Sequence, residues 1–344
     1  MDGALKPNNL LDEARSLAVV PAPDNLVAVG GRFLFSSGAK LLEVGGGRWD
    51  QPSVLAEFDR SILAVAASPD GTIAVALDGA GIQIVGGRHY GKTVVEAGGC
   101  RLSCVTGLAF SGNDTVILCN GSSSNKADDW KRDLLEMKHA GTALSLDLAT
   151  GNATVLADHL GFPHGILISP DGSQALVSES WNSRIIRVGL KGSGKPETVL
   201  DDLPGYPARL CHRSGGGAWL CIFAPRSQLI EFVLREKTYR HAMMAEVDPE
   251  FWIAPALFSG RSFSEPMQGG ALKQMGILKP WAPTRSYGLV IELNEDFEPI
   301  ASRHCRAGGR RHGIISCAEI DGELVLTSRG GDEVIATPLN DHGE

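Results

Sequence analysis

One short hairpin recurs along this chain. In "LGFPHGILISPDGSQALVSES", Leu160 to Ser180, two apolar runs flank a Ser-Pro-Asp-Gly turn. The shape returns in "SILAVAASPDGTIAVAL" from Ser61, "CVTGLAFSGNDTVILCN" from Cys104 and "RHGIISCAEIDGELVLTS" from Arg311. Looser copies are "PDNLVAVGGRFLFSS" from Pro23 and "PARLCHRSGGGAWLCIF" from Pro207. Apolar runs of about five residues around Gly, Asp or Asn are hairpin chemistry, since these residues supply the turn conformations. Most copies are about 40 to 58 residues apart, near the span of a four-stranded propeller blade.

Each copy is followed by further strand-like runs, such as "RIIRVGL" and "PETVLDDL". Six copies of four strands make the chain all-β, a six-bladed β-propeller, with residues 1–344 forming one domain. The last spacing is too long by more than a blade. The surplus, about 236–286, is richer in Met, Trp and Pro and partly helical in pattern. It is expected as a helical insertion between blades five and six, placed on one face as a lid or merely covering blade edges. "NKADDWKRDLLEMKHAG" is expected to be helical too, with Asp128 or Asp129 as its cap and Trp130, Leu134 and Met137 on one face.

Composition removes several classes of function. Net charge is −8 and no basic–aromatic patch stands out, so nucleic acid is not expected as a partner. No apolar run approaches the roughly 20 residues of a membrane span. The N-terminal "MDGALKPNNLLDEARSLAVV" lacks the basic start and apolar core of a signal peptide. The seven cysteines are scattered, and Cys100-x3-Cys104 has no second pair to complete a zinc site. The expectation is a cytoplasmic protein with free thiols; its oligomeric state is left open. "GGRHYGKT", Gly86 to Thr93, fits the phosphate-loop pattern. The β-branched residues and Gly-Gly that follow cannot supply the required helix, so it is expected to be two outer strands and a turn. Asp70, Asp114, Asp171 and Asp321 are expected to be turn formers.

Residues Ser122 to Leu210 resemble the central part of strictosidine synthase-like proteins. The resemblance is carried by a Ser-Ser run before a helix, the FP-x-G-x-x-x-S-x-D strand from Phe162 to Asp171, and the LPGYP turn from Leu203 to Pro207. The wider group resembles the gluconolactonase/regucalcin and paraoxonase propellers. It implies a six-bladed propeller and one of two chemistries. One is condensation of an amine with an aldehyde by a glutamate in the last blade. The other is lactone or ester hydrolysis by a divalent metal on Glu, Asn and Asp. At the glutamate's place this chain has Ile314, Ile315 and Ser316, with Glu319 out of register. For the metal ligands it has Pro23-Asp24, Pro163-His164-Gly165 and Pro207-Ala208-Arg209. Glu179 matches a family position that looks structural.

By repeat symmetry, residues just before the innermost strands point into one mouth of the channel. These are Asp24, a residue near Ala64, Thr106, His164, Ala208 or Arg209, and His312. Asp24, His164 and His312 are the candidate ligands of a divalent metal, calcium or a transition metal. His164 and His312 are the candidate catalytic residues, and Thr106, Arg209 and Arg311 the candidate substrate-binding residues. The arginines could clamp an anionic substrate or pair with Asp24. A metal-free substrate pocket and a purely structural polar cluster are the alternatives. The leading expectation is a small-molecule hydrolase of lactone or ester type. A condensing enzyme or a metabolite-binding propeller is the alternative.

Overall fold

The computed structural model describes residues 1–192, 194–260, 265, 273–274, 277–278 and 284–340. Among them are six four-stranded antiparallel sheets, arranged as the blades of a propeller. The innermost strands are Pro23–Val29, Ile62–Ala67, Val105–Ser111, Pro163–Ile168, Gly205–His212 and Ile314–Ile320, for blades one to six. Five blades run inside to outside in chain order. Blade six takes its outermost strand, Arg15–Val19, from the other end of the chain, paired with Glu333–Pro338.

The turns obey the chemistry read from the sequence. Ser68 and Thr72 both donate to Asp70, at 2.5 and 2.9 Å. Ser169 and Ser173 donate to Asp171 at 2.6 and 2.7 Å, which pulls its carboxyl down to about 2. Asp321 holds a left-handed backbone with φ 49°. The phosphate-loop look-alike is the end of strand Gly81–Gly86, a turn, and strand Thr93–Val94, with no helix.

Between consecutive blades lie apolar clusters made of both sheets' faces. Ala64, Ala74 and Ile82 of blade two meet Val105, Val116 and Leu144 of blade three. Leu167 and Leu176 of blade four meet Leu220 and Leu289 of blade five. Sheets buried on both faces explain why their strands read as nearly continuous apolar runs.

Four α-helices are described: α1 (Leu10–Glu13), α2 (Trp130–Glu136), α3 (Gln228–Arg235) and α4 (Lys237–Glu246). Helix α2 falls in the segment expected to be helical. Its flanking Asp129 makes no side-chain cap bond, and Met137 is the left-handed C-terminal residue, 46% exposed, rather than part of the packed face. The insertion is misplaced in the sequence reading. Strands Ala218–Pro225 and Gly288–Leu293 pair with each other, so α3 and α4 lie inside blade five, between its second and third strands. The hairpin count saw only the first two strands of each blade, and so assigned the return pair to the wrong side of the break. Most of 261–283 lies outside the described residues. Leu135 of α2 packs with Val233, Met243, Trp252 and Ala254, so both helical segments share one small core.

Candidate functional site

Each innermost strand breaks its ladder register near its start. Such bulges re-aim side chains. Here they fall at or beside Asp24, Leu63, Thr106, His164, Ala208–Arg209 and Ile315. Asp24, Leu63, Thr106, His164 and Ile315 line one small cavity that opens at the channel mouth. Arg329 completes its polar side, while Trp130, Phe162, Trp181, Phe223 and Leu257 form apolar walls.

The aromatic wall is fastened from outside. Trp181 donates its indole N–H to Asp133 of α2 at 2.7 Å and stacks on Phe162 at 4.7 Å between ring centroids. Trp130 stacks on Trp181 and meets Phe223 edge-on. Leu257, from the insertion, arrives against Gly313 and Gly330. A side chain at Gly330 would collide with the Leu257 carbonyl. The insertion therefore reaches the channel mouth.

Four of the residues that line the cavity are tied together by Arg209. Its Nη1 lies 3.1 Å from Asp24 Oδ1 and 3.2 Å from His164 Nε2. Its Nη2 donates to the carbonyls of Leu63 at 2.7 Å and Thr106 at 3.0 Å. One guanidinium from blade five thus ties blades one, two, three and four. Arg329 Nη1 stands 3.6 Å from Asp24 Oδ2, with its side chain 39% exposed. Beyond Arg209 the central channel opens into a second space lined by the innermost strands of all six blades. His164 and Arg209 border that space as well.

Burial first, then Arg209 and Arg329, hold the His164 imidazole well below its usual range. It is neutral near pH 7. An arginine can only donate, so Nε2 accepts and the proton sits on Nδ1, which is buried without a partner. Thr106 donates its hydroxyl to the Pro163 carbonyl at 2.5 Å. Gly165 is required by the approach of blade five. A Cβ there would run into the Ala208 carbonyl and lie 2.7 Å from Arg209 Cα. Replacing Gly165 by alanine is expected to cost about 1–3 kcal/mol, the range for overpacking. Urea denaturation checks it, and an unchanged midpoint contradicts the packing argument.

Asp24, Thr106, His164 and Arg209 are therefore brought together as expected from repeat symmetry. His312 and Arg311 are not. Gly313 takes φ 63° and strand six starts at Ile314, so Ile315, not His312, is the blade-six counterpart of His164. His312 is 2% exposed, with Nδ1 bonded to Ser286 at 2.7 Å and Nε2 to the Arg306 carbonyl at 2.8 Å. Arg311 pairs with Glu333 at 2.9 Å and donates to the carbonyls of Leu11, Asp12 and Ala14 at the end of α1. Glu319 accepts from Trp219 Nε1 at 2.6 Å and Ser214 N at 2.9 Å, away from the mouth. Arg329 and the aromatic wall were missed. Their signal was an arginine just after a strand end and aromatic residues flanking strands at the mouth side.

The donor set does not fit the expected divalent cation. Among the described residues no group of three or more His, Cys, Asp and Glu side chains converges. Asp24 Oδ1 and His164 Nε2 already receive Arg209, and a second arginine faces Asp24 Oδ2. A metal there would meet two like charges at short range.

Comparison with known proteins agrees with the resemblance. Residues 107–193 match the strictosidine synthase family. Adipocyte plasma membrane-associated protein of Salmo salar is 29% identical over 238 residues, covering 67% of this chain and 50% of that protein. Its Mus musculus counterpart is 26% identical over 243 residues, covering 64% and 58%. Strictosidine synthase-like 6 of Arabidopsis thaliana is 28% identical over 127 residues, covering 37% and 34%. The chain spans about half the length of the first of these relatives. In fold, it is similar to a gluconolactonase from Xanthomonas campestris, TM-score 0.60 at 13% identity, covering 96% and 93% of the two chains. It is also similar to a calcium-binding protein, regucalcin, from Agrobacterium tumefaciens, TM-score 0.57 at 13% identity, covering 94% and 92%. The chain is thus similar in sequence to strictosidine synthase-like proteins over part of its length, and its fold is a six-bladed β-propeller. Among the described residues no helix is long and apolar enough to cross a membrane.

Proposed function

We propose that this chain hydrolyses small lactones or esters with an apolar or aromatic body at the channel mouth, using its own side chains. The observation that carries the reading is the pairing of Asp24 with Arg329 at the base of an aromatic-walled cavity. The fold likeness to a gluconolactonase supports it as analogy.

The apolar body packs against Trp181, Phe162 and Trp130. The ester carbonyl oxygen takes hydrogen bonds from Arg329, whose half-open guanidinium neutralises the charge that develops on it. Asp24 accepts a proton from water as the water oxygen bonds to the acyl carbon. The acyl–oxygen bond then breaks and the departing alkoxide recovers that proton, giving acid and alcohol. Arg209, itself bonded to neutral His164, holds Asp24 in place. The condensing reaction has little support, since Ile315 stands at the mouth position of blade six and Glu319 is bonded elsewhere.

The test is a panel of aryl and alkyl lactones and esters with wild type, Arg329→Ala and Asp24→Asn. Each variant is expected to lose about 100-fold in kcat/KM while keeping its circular dichroism. A folded Arg329→Ala variant with unchanged turnover sinks the mechanism. A second reading, binding without turnover, draws on the fact that both Asp24 oxygens are already engaged. Trp130 and Trp181 report on it. Compounds that quench their fluorescence and are recovered intact favour the binder.

A further inference from the structure

Two cysteines face each other across the seam between blades five and six. Cys211 lies on the innermost strand Gly205–His212 and Cys317 on the innermost strand Ile314–Ile320. Cys317 Sγ donates to Cys211 Sγ at 3.3 Å, and the two residues are 106 positions apart. The fold brings them together. Glu319, two residues beyond Cys317, accepts from Trp219 and Ser214 of blade five, so the two blades are pinned beside the sulfurs. Cys211 is half-buried and Cys317 buried, and both border the channel space described above. A small solute in the channel therefore reaches them. Cys221 is fully buried in the same apolar cluster as Cys317. A disulfide holds its sulfurs about 2.05 Å apart, so the gap between Cys211 and Cys317 must close by about 1.2 Å, a distance that side-chain rotation supplies.

We infer that Cys211 and Cys317 form an oxidisable dithiol whose disulfide clasps blade six to blade five. The oxidant is a small hydroperoxide, and hydrogen peroxide balances the step. Cys211, the more exposed thiol, loses its proton and attacks one peroxide oxygen. The O–O bond breaks, leaving a sulfenic acid on Cys211 and one water. The Cys317 sulfur then attacks the Cys211 sulfur, the S–O bond breaks, and the second oxygen leaves as water with the Cys317 proton. Two thiols give two electrons to one peroxide. The hydrogen bond from Cys317, together with burial, pushes the Cys211 thiol up, so the first step is slow at neutral pH and quickens as pH rises. The clasp encloses the chain from Cys211 to Cys317, insertion included, and so restricts the unfolded state most where the loop is long.

The experiment treats reduced wild type, Cys211→Ser and Cys317→Ala with hydrogen peroxide at about pH 8.5, where more of the thiol is ionised. Remaining thiols are alkylated in denaturant, and the digest is mapped by mass spectrometry. Wild type is expected to yield a Cys211–Cys317 cross-linked peptide that a reducing agent removes. Its Tm is expected to stand about 5 °C above that of the reduced protein and to fall back on reduction. Cys211→Ser and Cys317→Ala are expected to show neither the cross-link nor the gain. If Cys317→Ala does not fold, Cys211→Ser, altered at a half-buried position, serves as the control. The inference is overturned if both thiols of wild type are still alkylated after sustained exposure. It is equally overturned if Cys317 couples to Cys221 instead, if Cys211 goes on to the sulfinic acid without cross-linking, or if the cross-link forms and Tm does not rise.

Discussion

Glu179→Ala is expected to lower the unfolding free energy by about 3 kcal/mol, the lower end for breaking a buried ion pair. The Glu179 side chain is fully buried at the end of strand Gln174–Glu179. One oxygen accepts from Gly161 N at 2.7 Å and from Asn182, and the other from Arg184 Nε at 2.6 Å. Alanine leaves the Gly161 N–H buried without an acceptor. Arg184 is 35% exposed and can regain water, which keeps the loss from being larger. The damage falls next to the site. Gly161 leads into Phe162, which has a left-handed backbone at φ 56°, and so into Pro163-His164. Glu179→Gln, which can still accept from Gly161, is expected to lose less. Urea titrations followed through Trp181 fluorescence test the pair. A loss under about 1 kcal/mol for alanine contradicts the anchor role.

Acid is expected to unfold this protein through its buried imidazoles. Burial, with Arg306 nearby, lowers His304 to about 4. Burial lowers His312, and burial with Arg209 and Arg329 lowers His164. Above about pH 6.5 these groups are neutral in both folded and unfolded chains and contribute no pH dependence. Below it the unfolded chain takes up protons that the fold refuses, so stability falls with pH. For His304 the loss continues to about pH 4 and amounts to about 3 kcal/mol. Its ring is fully buried between Ser302, which bonds Nε2 at 2.8 Å, and the edge of Tyr287. Urea midpoints should be level above neutral pH and fall steadily from pH 6.5 to 4. Midpoints that hold or rise over that range would falsify this account.

Local chemistry made the blades legible in the sequence. Ser-Pro-Asp-Gly specifies a turn through contacts within five residues, and the same contacts recur at Asp70 and Asp171. The closing strand Arg15–Val19 carries no turn signature of its own, and the return strands Gly288–Leu293 and Pro299–Cys305 meet at an Asn294–Phe297 turn outside the repeated hairpin, so sheet pairing is what places all three. The site was legible where repeats align by strand start. That rule found Asp24, Thr106 and His164. It failed at His312 because two identical His-Gly pairs sit in different registers, one inside a strand and one before it. Arg209 was found as a residue, with pairing to Asp24 as one of two roles. Its bonds to Leu63 and Thr106 are main-chain contacts across blades, which no side-chain pattern encodes.

The shared sixth blade makes synthesis order matter. Arg15 and its ion-pair partner Glu323 lie 308 residues apart. The early blades can form on the ribosome, but the ring cannot shut until the sequence through Pro338 has emerged. Until then blade one shows an unmated flank and Arg15–Val19 waits as a lone ribbon. Pairing over such separations is slow and exposes adhesive edges meanwhile. Nascent chains halted before residue 333 would therefore be the aggregation-prone species of this protein.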